Sequence, residues 1–196
     1  MPVASRKPSL AVRPFEESDY GPMVDYFLDS EPLVLTGMGI DTRKMLGREE
    51  WLRHLLMDHQ KPDAQRDRFY LAWIRDDDLV GHSSINQIEL GKEAHFHLHL
   101  WKADMRGAGV GAELVRLSAA FYIERFGFKR LVCEPYANNP APNRVLPKAG
   151  FRFVKRYRTV PTTLSFEQDV NRFELDADDC TGSTLSVDHS IMPTSS

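Results

Sequence analysis

Apolar and polar positions alternate in several short runs and recur at helical spacing in others. Leu10 to Pro14 reads as a short strand, and a helix follows from an N-cap at Ser18 to about Leu28, with Met23, Tyr26 and Phe27 on its apolar face. Ser30 to Leu46, with Pro32, Gly37 and Gly39, reads as a long loop. Trp51, Leu52, Leu55 and Leu56 mark a helix over Gly47 to Gln60. Arg68 to Arg75 and Leu79 to Ile88 predict two strands joined by a hairpin at Asp76-Asp77-Asp78, and Ala94 to Trp101 predicts a third. Gly109 to Phe126 carries the clearest helical stripe: Val110, Leu114, Leu117, Phe121 and Tyr122. Lys129 to Glu134 (strand), Pro142 to Ala149 (helix), Phe151 to Thr159 (strand) and Phe166 to Leu175 (strand) complete the series. The expected class is α/β, or α+β: one domain over residues 8–175 with helices packed on a mixed sheet.

Composition narrows this picture. The chain has 196 residues, of which 42% are hydrophobic and 27% charged, enough for one real core. No apolar run approaches a membrane span, and no apolar run follows Arg6 and Lys7 as a secretory signal requires. Cys133 and Cys180 are too few for a disulfide framework or a cysteine zinc site, so a reducing cytoplasmic setting is expected. Residues 176–196 hold four aspartates and no Lys or Arg, and their scattered apolar residues predict a mobile tail. The remainder balances 25 basic against 24 acidic residues, which gives no general pull toward nucleic acid.

Chemistry concentrates in two segments. In the first, Arg106-Gly107-Ala108-Gly109-Val110-Gly111-Ala112 joins a strand to the best helix. Small residues there let a ligand approach the backbone, and free N–H groups at a helix start favour an anion such as a pyrophosphate. A Walker lysine is absent, and three antiparallel-looking strands precede the turn, which argues against a nucleoside triphosphatase and a Rossmann domain. A glycine turn that merely packs a helix on a sheet is the plainer alternative. In the second segment, His95, His97, His99 and Trp101 alternate onto one strand face. That face admits a satisfied polar surface, a metal site, or acid–base catalysis, since imidazole takes protons near neutral pH.

Arg106-x-x-Gly109-x-Gly111, followed by the run from Glu134-Pro135-Tyr136 through Asn139 and Asn143 to Lys148-Ala149-Gly150-Phe151, resembles the GNAT superfamily of acyl-CoA-dependent N-acetyltransferases. The likeness in element order covers residues 8–175, and the motifs lie within 93–154. It implies a mostly antiparallel sheet of about seven strands flanked by four helices. It further implies acetyl-CoA as co-substrate and direct attack by a primary amine in a ternary complex. By that resemblance, residues 106–112 cradle the pyrophosphate. Backbone amides at His99, Leu100 and Trp101 hold the thioester carbonyl and pantetheine arm, and Asn139 and Asn143 support that arm or the strand splay beside it. His95 and His97 stand 11 and 9 residues before Arg106. A similar His-Leu-His at that spacing serves proton removal in serotonin N-acetyltransferase, which implies His97, helped by His95, as the base. Glu134 is expected to orient the substrate ammonium, or else to be a solvated strand end.

The segment around Glu134 is also similar to those of aminoglycoside N-acetyltransferases and siderophore lysine acyltransferases, with Tyr136 in place of an Asp of the latter. The layout resembles ribosomal-protein N-acetyltransferases too. Leu146 occupies the position where many members carry a tyrosine that protonates the leaving thiolate, which leaves Tyr136, water, or departure of the thiolate without an acid. The acceptor is expected to be a small molecule, with a protein N-terminus as an alternative and a homodimer also admitted. A CoA-binding module without catalysis, supported by that missing tyrosine, is the alternative of another class.

Overall fold

A computed structural model of the chain describes residues 8–102 and 109–180. The strands β1 (Leu10–Pro14), β2 (Arg68–Arg75), β3 (Asp78–Glu89), β4 (Glu93–Leu100), β5 (Arg130–Cys133), β6 (Arg152–Thr159) and β7 (Gln168–Asp176) form one sheet in the order β1-β2-β3-β4-β5-β7-β6. Every neighbouring pair is antiparallel except β4–β5. The helices are α1 (Tyr20–Leu28), α2 (Pro32–Gly37), α3 (Arg48–His59), α4 (Val110–Phe126), α5 (Pro140–Lys148) and α6 (Ala177–Cys180).

Local chemistry accounts for the joints. Asp76 and Asp77 take positive φ of 48° and 71°, the backbone of a two-residue hairpin whose twist matches its strands. Gly127, left-handed at φ 67°, ends α4 and accounts for its sharp stop. The parallel β4–β5 pair needs a crossover, and α4 supplies it.

Three details differ from the sequence reading. The N-cap of the first helical turn is Glu16, which exchanges hydrogen bonds with Asp19, rather than Ser18. The expected loop 30–46 contains α2, entered through Pro32 in its first turn, and with α6 the described residues hold six helices rather than four. The body extends past 175: Asp176 ends β7 beside Arg130 at 2.8 Å, and α6 follows, with Cys180 packed against the core. Residues 181–196, the rest of the expected mobile tail, lie outside the described residues.

The sheet divides the molecule into two cores. One face packs Phe69, Leu71, Trp73, Ile85 and Phe96 against α4 residues Leu114, Val115 and Tyr122. The other packs Tyr70 and Ala72 against α1 residues Met23, Val24 and Phe27. α3 contributes only half-buried residues to this second core.

Candidate functional site

β4 and β5 pair at three positions, Glu93↔Arg130, Ala94↔Leu131 and His95↔Val132. β4 then runs on to Leu100 with no strand partner on that edge among the described residues, so the sheet splays open. Trp101 N–H donates to Val80 O at 2.9 Å. Ladder alternation then aims His95, His97 and His99 backbone groups at β3, and those of Phe96, Leu98 and Leu100 at the gap. Of the three amides expected to meet an acyl carbonyl, only that of Leu100 faces the opening; His99 and Trp101 spend theirs on β3. Gly81 lets β3 follow this end of β4 closely, since a Cβ there would meet His99 O at 2.4 Å.

A cleft of about 1050 Å³ occupies the splay. On one side it is lined by Gly109, Gly111 and Ala112 at the start of α4, and by Arg144, Val145 and Lys148 on α5. Gly109 is left-handed, with φ 77°, and nothing lies within 4 Å of where its Cβ would be. The first N–H groups of α4 have no partner inside the helix and open onto this space. That open, small-residue helix start beside two cations fits a pyrophosphate of CoA. Arg144 and Lys148 stand four apart on one helix face, a signal the glycine motif had overshadowed. Arg106, Gly107 and Ala108 lie outside the described residues.

Asn139 N-caps α5, its Oδ1 accepting from Ala141 N at 3.3 Å. Asn143 donates to Tyr136 O at 2.9 Å and Asn139 O at 2.6 Å, and accepts from Asn171 at 2.7 Å. Both asparagines therefore brace the strand end and the helix that follows the splay. Leu146 is wholly buried in the core, and Cys133 is buried with its thiol pushed up by desolvation. Tyr136 lines the cleft and its hydroxyl accepts from Asn138 at 3.1 Å.

The polar face of the sheet forms a grid on the α1–α3 side. Register places Arg68, Asn86 and His95 in one row, Tyr70, Ser84 and His97 in the next, and Ala72, His82 and His99 in the third. His97 Nε2 lies 2.8 Å from Asn86 Oδ1, so with that oxygen accepting, the ring carries its proton on Nε2 and its lone pair on Nδ1. His82 Nδ1 accepts from Trp101 Nε1 at 2.9 Å, and its ring stacks on His99 at 4.9 Å. Burial, reinforced by Arg68, pushes His99 down to about 4 and His97 well below the usual histidine range. Burial also takes His82 well down, with His99 and Arg68 adding to it.

His95 differs from the other two. Its Nδ1 lies 4.0 Å from Glu134 Oε2. Burial lowers its pKa, while the Glu134 carboxylate acts in the opposite direction. Glu134, with its side chain only 7% exposed, accepts from Tyr157 OH at 2.5 Å and from Arg172 Nη1 at 3.0 Å, both on Oε1. A solvated strand end is thus excluded: Glu134 is a fixed carboxylate with Oε2 turned to His95. Tyr157 and Arg172 were invisible as partners because they sit 23 and 38 residues away, on strands β6 and β7. Among the described residues no group of three or more His, Cys, Asp or Glu is placed to hold a metal ion.

A family model described as "Acetyltransferase (GNAT) domain" matches residues 9–152. A search of curated proteins finds no match. Among solved structures, the chain is similar to a ribosomal L7/L12 alpha-N-protein acetyltransferase in complex with coenzyme A, at TM-score 0.70 and 18% identity over 90% of this chain and 98% of that one. It is similar to a spermidine N-acetyltransferase from Vibrio cholerae in complex with CoA and spermine, at TM-score 0.69 and 15% identity over 88% and 98%. An aminoglycoside acetyltransferase in complex with coenzyme A matches at TM-score 0.68 and 13% identity over 87% and 96%. These likenesses carry the fold, and the family match spans most of the sequence. The splayed seven-stranded sheet and the open glycine helix start are what a GNAT fold requires, and the chain belongs to the GNAT acetyltransferase family.

Proposed function

We propose that the protein acetylates a primary amine on a small molecule, with donor and acceptor held together in the splay between β4 and β5. Acetyl-CoA supplies the activated acyl group. The first turn of α4, with Arg144 and Lys148, binds its phosphates, and Leu100 N–H is the backbone donor for the acyl carbonyl. The likeness to a spermidine N-acetyltransferase in complex with CoA and spermine supports an amine here.

An amine arrives protonated and must lose that proton before it attacks. His95 is the first candidate to take it. The resemblance puts His97 first, but the contacts favour His95. His95 borders the cleft where the strands part, and Glu134 Oε2 is positioned to stabilise its imidazolium. His97 also lines the cleft, but it lies near Arg68 and already holds Asn86, so charging it costs more. His97 then serves as a neighbour in the proton path. The observation that carries this reading is the His95–Glu134 pair at the last paired rung of β4 and β5.

The test is release of free thiol from acetyl-CoA by purified protein across a panel of primary amines. Turnover with at least one amine, and acetylated product by mass, is expected. Binding of acetyl-CoA without turnover on any amine would establish the module without catalysis instead.

A further inference from the structure

Arg68 is a half-buried cation without a counter-ion. Its guanidinium makes one hydrogen bond, to Ser84 Oγ at 3.3 Å, and among the described residues no carboxylate oxygen lies within 4.0 Å of it. It lines the main cleft and also an adjoining cavity of about 420 Å³ bounded by Asn86, Gln87, Thr162 and Thr163. It stands in the same cross-strand row as His95, with Asn86 between. Neighbouring strands are about 4.8 Å apart, so the two Cα atoms are roughly 10 Å apart. An amine at His95 and a carboxylate at Arg68 are thus within the span of one small molecule.

α3 and α1 give the acceptor side an apolar wall, and the carboxylates of the lining are already engaged. α3 is twelve residues long and buries none of them fully, yet Trp51 and Leu55 line the cleft at one-turn spacing, opposite Met23, Phe27 and Met38. The three carboxylates of the lining have partners. Asp58 accepts from Lys61 and from the backbones of Asp67 and Arg68. Asp67 pairs with Lys61, and Glu134 with Arg172 and Tyr157. A polycation entering this space meets Arg68 and finds no uncommitted acid. A molecule with a carboxylate supplies the missing counter-ion.

We infer that Arg68 selects the acceptor by binding its carboxylate, and that the acceptor is an amino-acid-like zwitterion: a primary amine, a carboxylate close to it, and an apolar remainder lying on α3. The inference rests on the transfer reading given above and names its substrate class. Guanidinium–carboxylate pairing is bidentate and charge-assisted, and its loss in a half-buried site costs roughly 10- to 100-fold in affinity.

The experiment measures initial rates of thiol release with L-phenylalanine, its amide, phenethylamine and spermidine, for the wild type, Arg68→Gln and Arg68→Lys. The expected wild-type result is a kcat/KM for phenylalanine at least tenfold above those of the amide and phenethylamine, with spermidine lowest. Arg68→Gln should raise KM for phenylalanine roughly 10- to 100-fold and erase the preference, leaving the KM of acetyl-CoA unchanged, while Arg68→Lys restores part of it. Equal rates for phenylalanine and phenethylamine, a preference for spermidine, or a preference that survives Arg68→Gln overturns the inference while leaving acetyl transfer intact. Absence of turnover with every amine overturns the transfer reading, and this inference with it.

Discussion

The two faces of β4 are made by alternate residues of one eight-residue strand and have opposite chemistry. Ala94 and Phe96 enter a dry core under α4, where the few polar groups are paired internally: Trp73 Nε1 donates to Ser118 Oγ at 2.8 Å, and Ser83 and Tyr122 hydroxyls lie 3.2 Å apart. His95, His97 and His99 enter a half-buried face that lines the cleft and carries imidazoles, Arg68 and the Asn86 amide. The first face is optimised for burial. The second partly withdraws its imidazoles from water, which destabilises their charged forms and keeps them neutral, with a lone pair free to accept a proton. Stability and chemistry are therefore separated by the two-residue period of a single strand.

The sharpest way to break this contrast is at the proton acceptor. His95→Gln should lower kcat by about 10²–10⁴-fold with acetyl-CoA binding retained, and His97→Gln should lower it less. A His95→Gln enzyme with full kcat and an unchanged pH–rate profile would falsify the assignment. Because burial depresses the His95 pKa, the acid limb of the wild-type profile should lie below the ordinary histidine value near ~6.5.

The histidine face should also make folding stability pH-dependent. His82, His97 and His99 all have folded pKa values below that of the unfolded chain. Their contribution is complete above about pH 6.5 and falls as pH drops toward the folded values, since the unfolded chain takes up the protons first. For His99, taken to about 4, that is about 3 kcal/mol. Urea unfolding at several pH values reads it out, and His99→Phe should flatten the curve. A stability independent of pH between 7 and ~4.5 would show that these rings titrate normally.

A smaller effect is expected at the helix start. Gly109→Val places a β-branched residue at φ 77°, where left-handed backbone costs roughly 1–2 kcal/mol, and fills the open approach. Calorimetry should show CoA affinity reduced about tenfold or more, with the circular dichroism of the fold preserved. Undiminished CoA affinity would move the phosphate site elsewhere. The smallest effect on activity belongs to the other face: Ser118→Ala leaves the Trp73 indole N–H unpaired and should cost roughly 1–3 kcal/mol of stability, with kcat unchanged at temperatures where the protein stays folded.

Much of this organisation is legible along the chain, because it depends on local signals. Period-two alternation placed His95, His97 and His99 on one face, and helical spacing over Val110, Leu114 and Tyr122 fixed α4 to within a residue. The helix start at Gly109 and the hairpin at Asp76-Asp77 follow from conformations that their neighbours dictate. α2 escaped because six residues containing Pro32, Gly37 and β-branched Val34 carry too little periodicity to outweigh their turn-like composition.

What only the tertiary structure decided are the partners. Strand order is set by long-range pairing, so nothing within β4 says that β5 leaves it after His95, or that Leu100 rather than His99 turns its amide to the gap. Whether Glu134 is solvated or fixed depends on Tyr157 and Arg172, which reach it from β6 and β7. The lack of a counter-ion at Arg68 among the described residues is likewise a property of what the fold brings near it. A side chain's type and face are local quantities, whereas its desolvation and pairing depend on everything packed around it, and those set the chemistry.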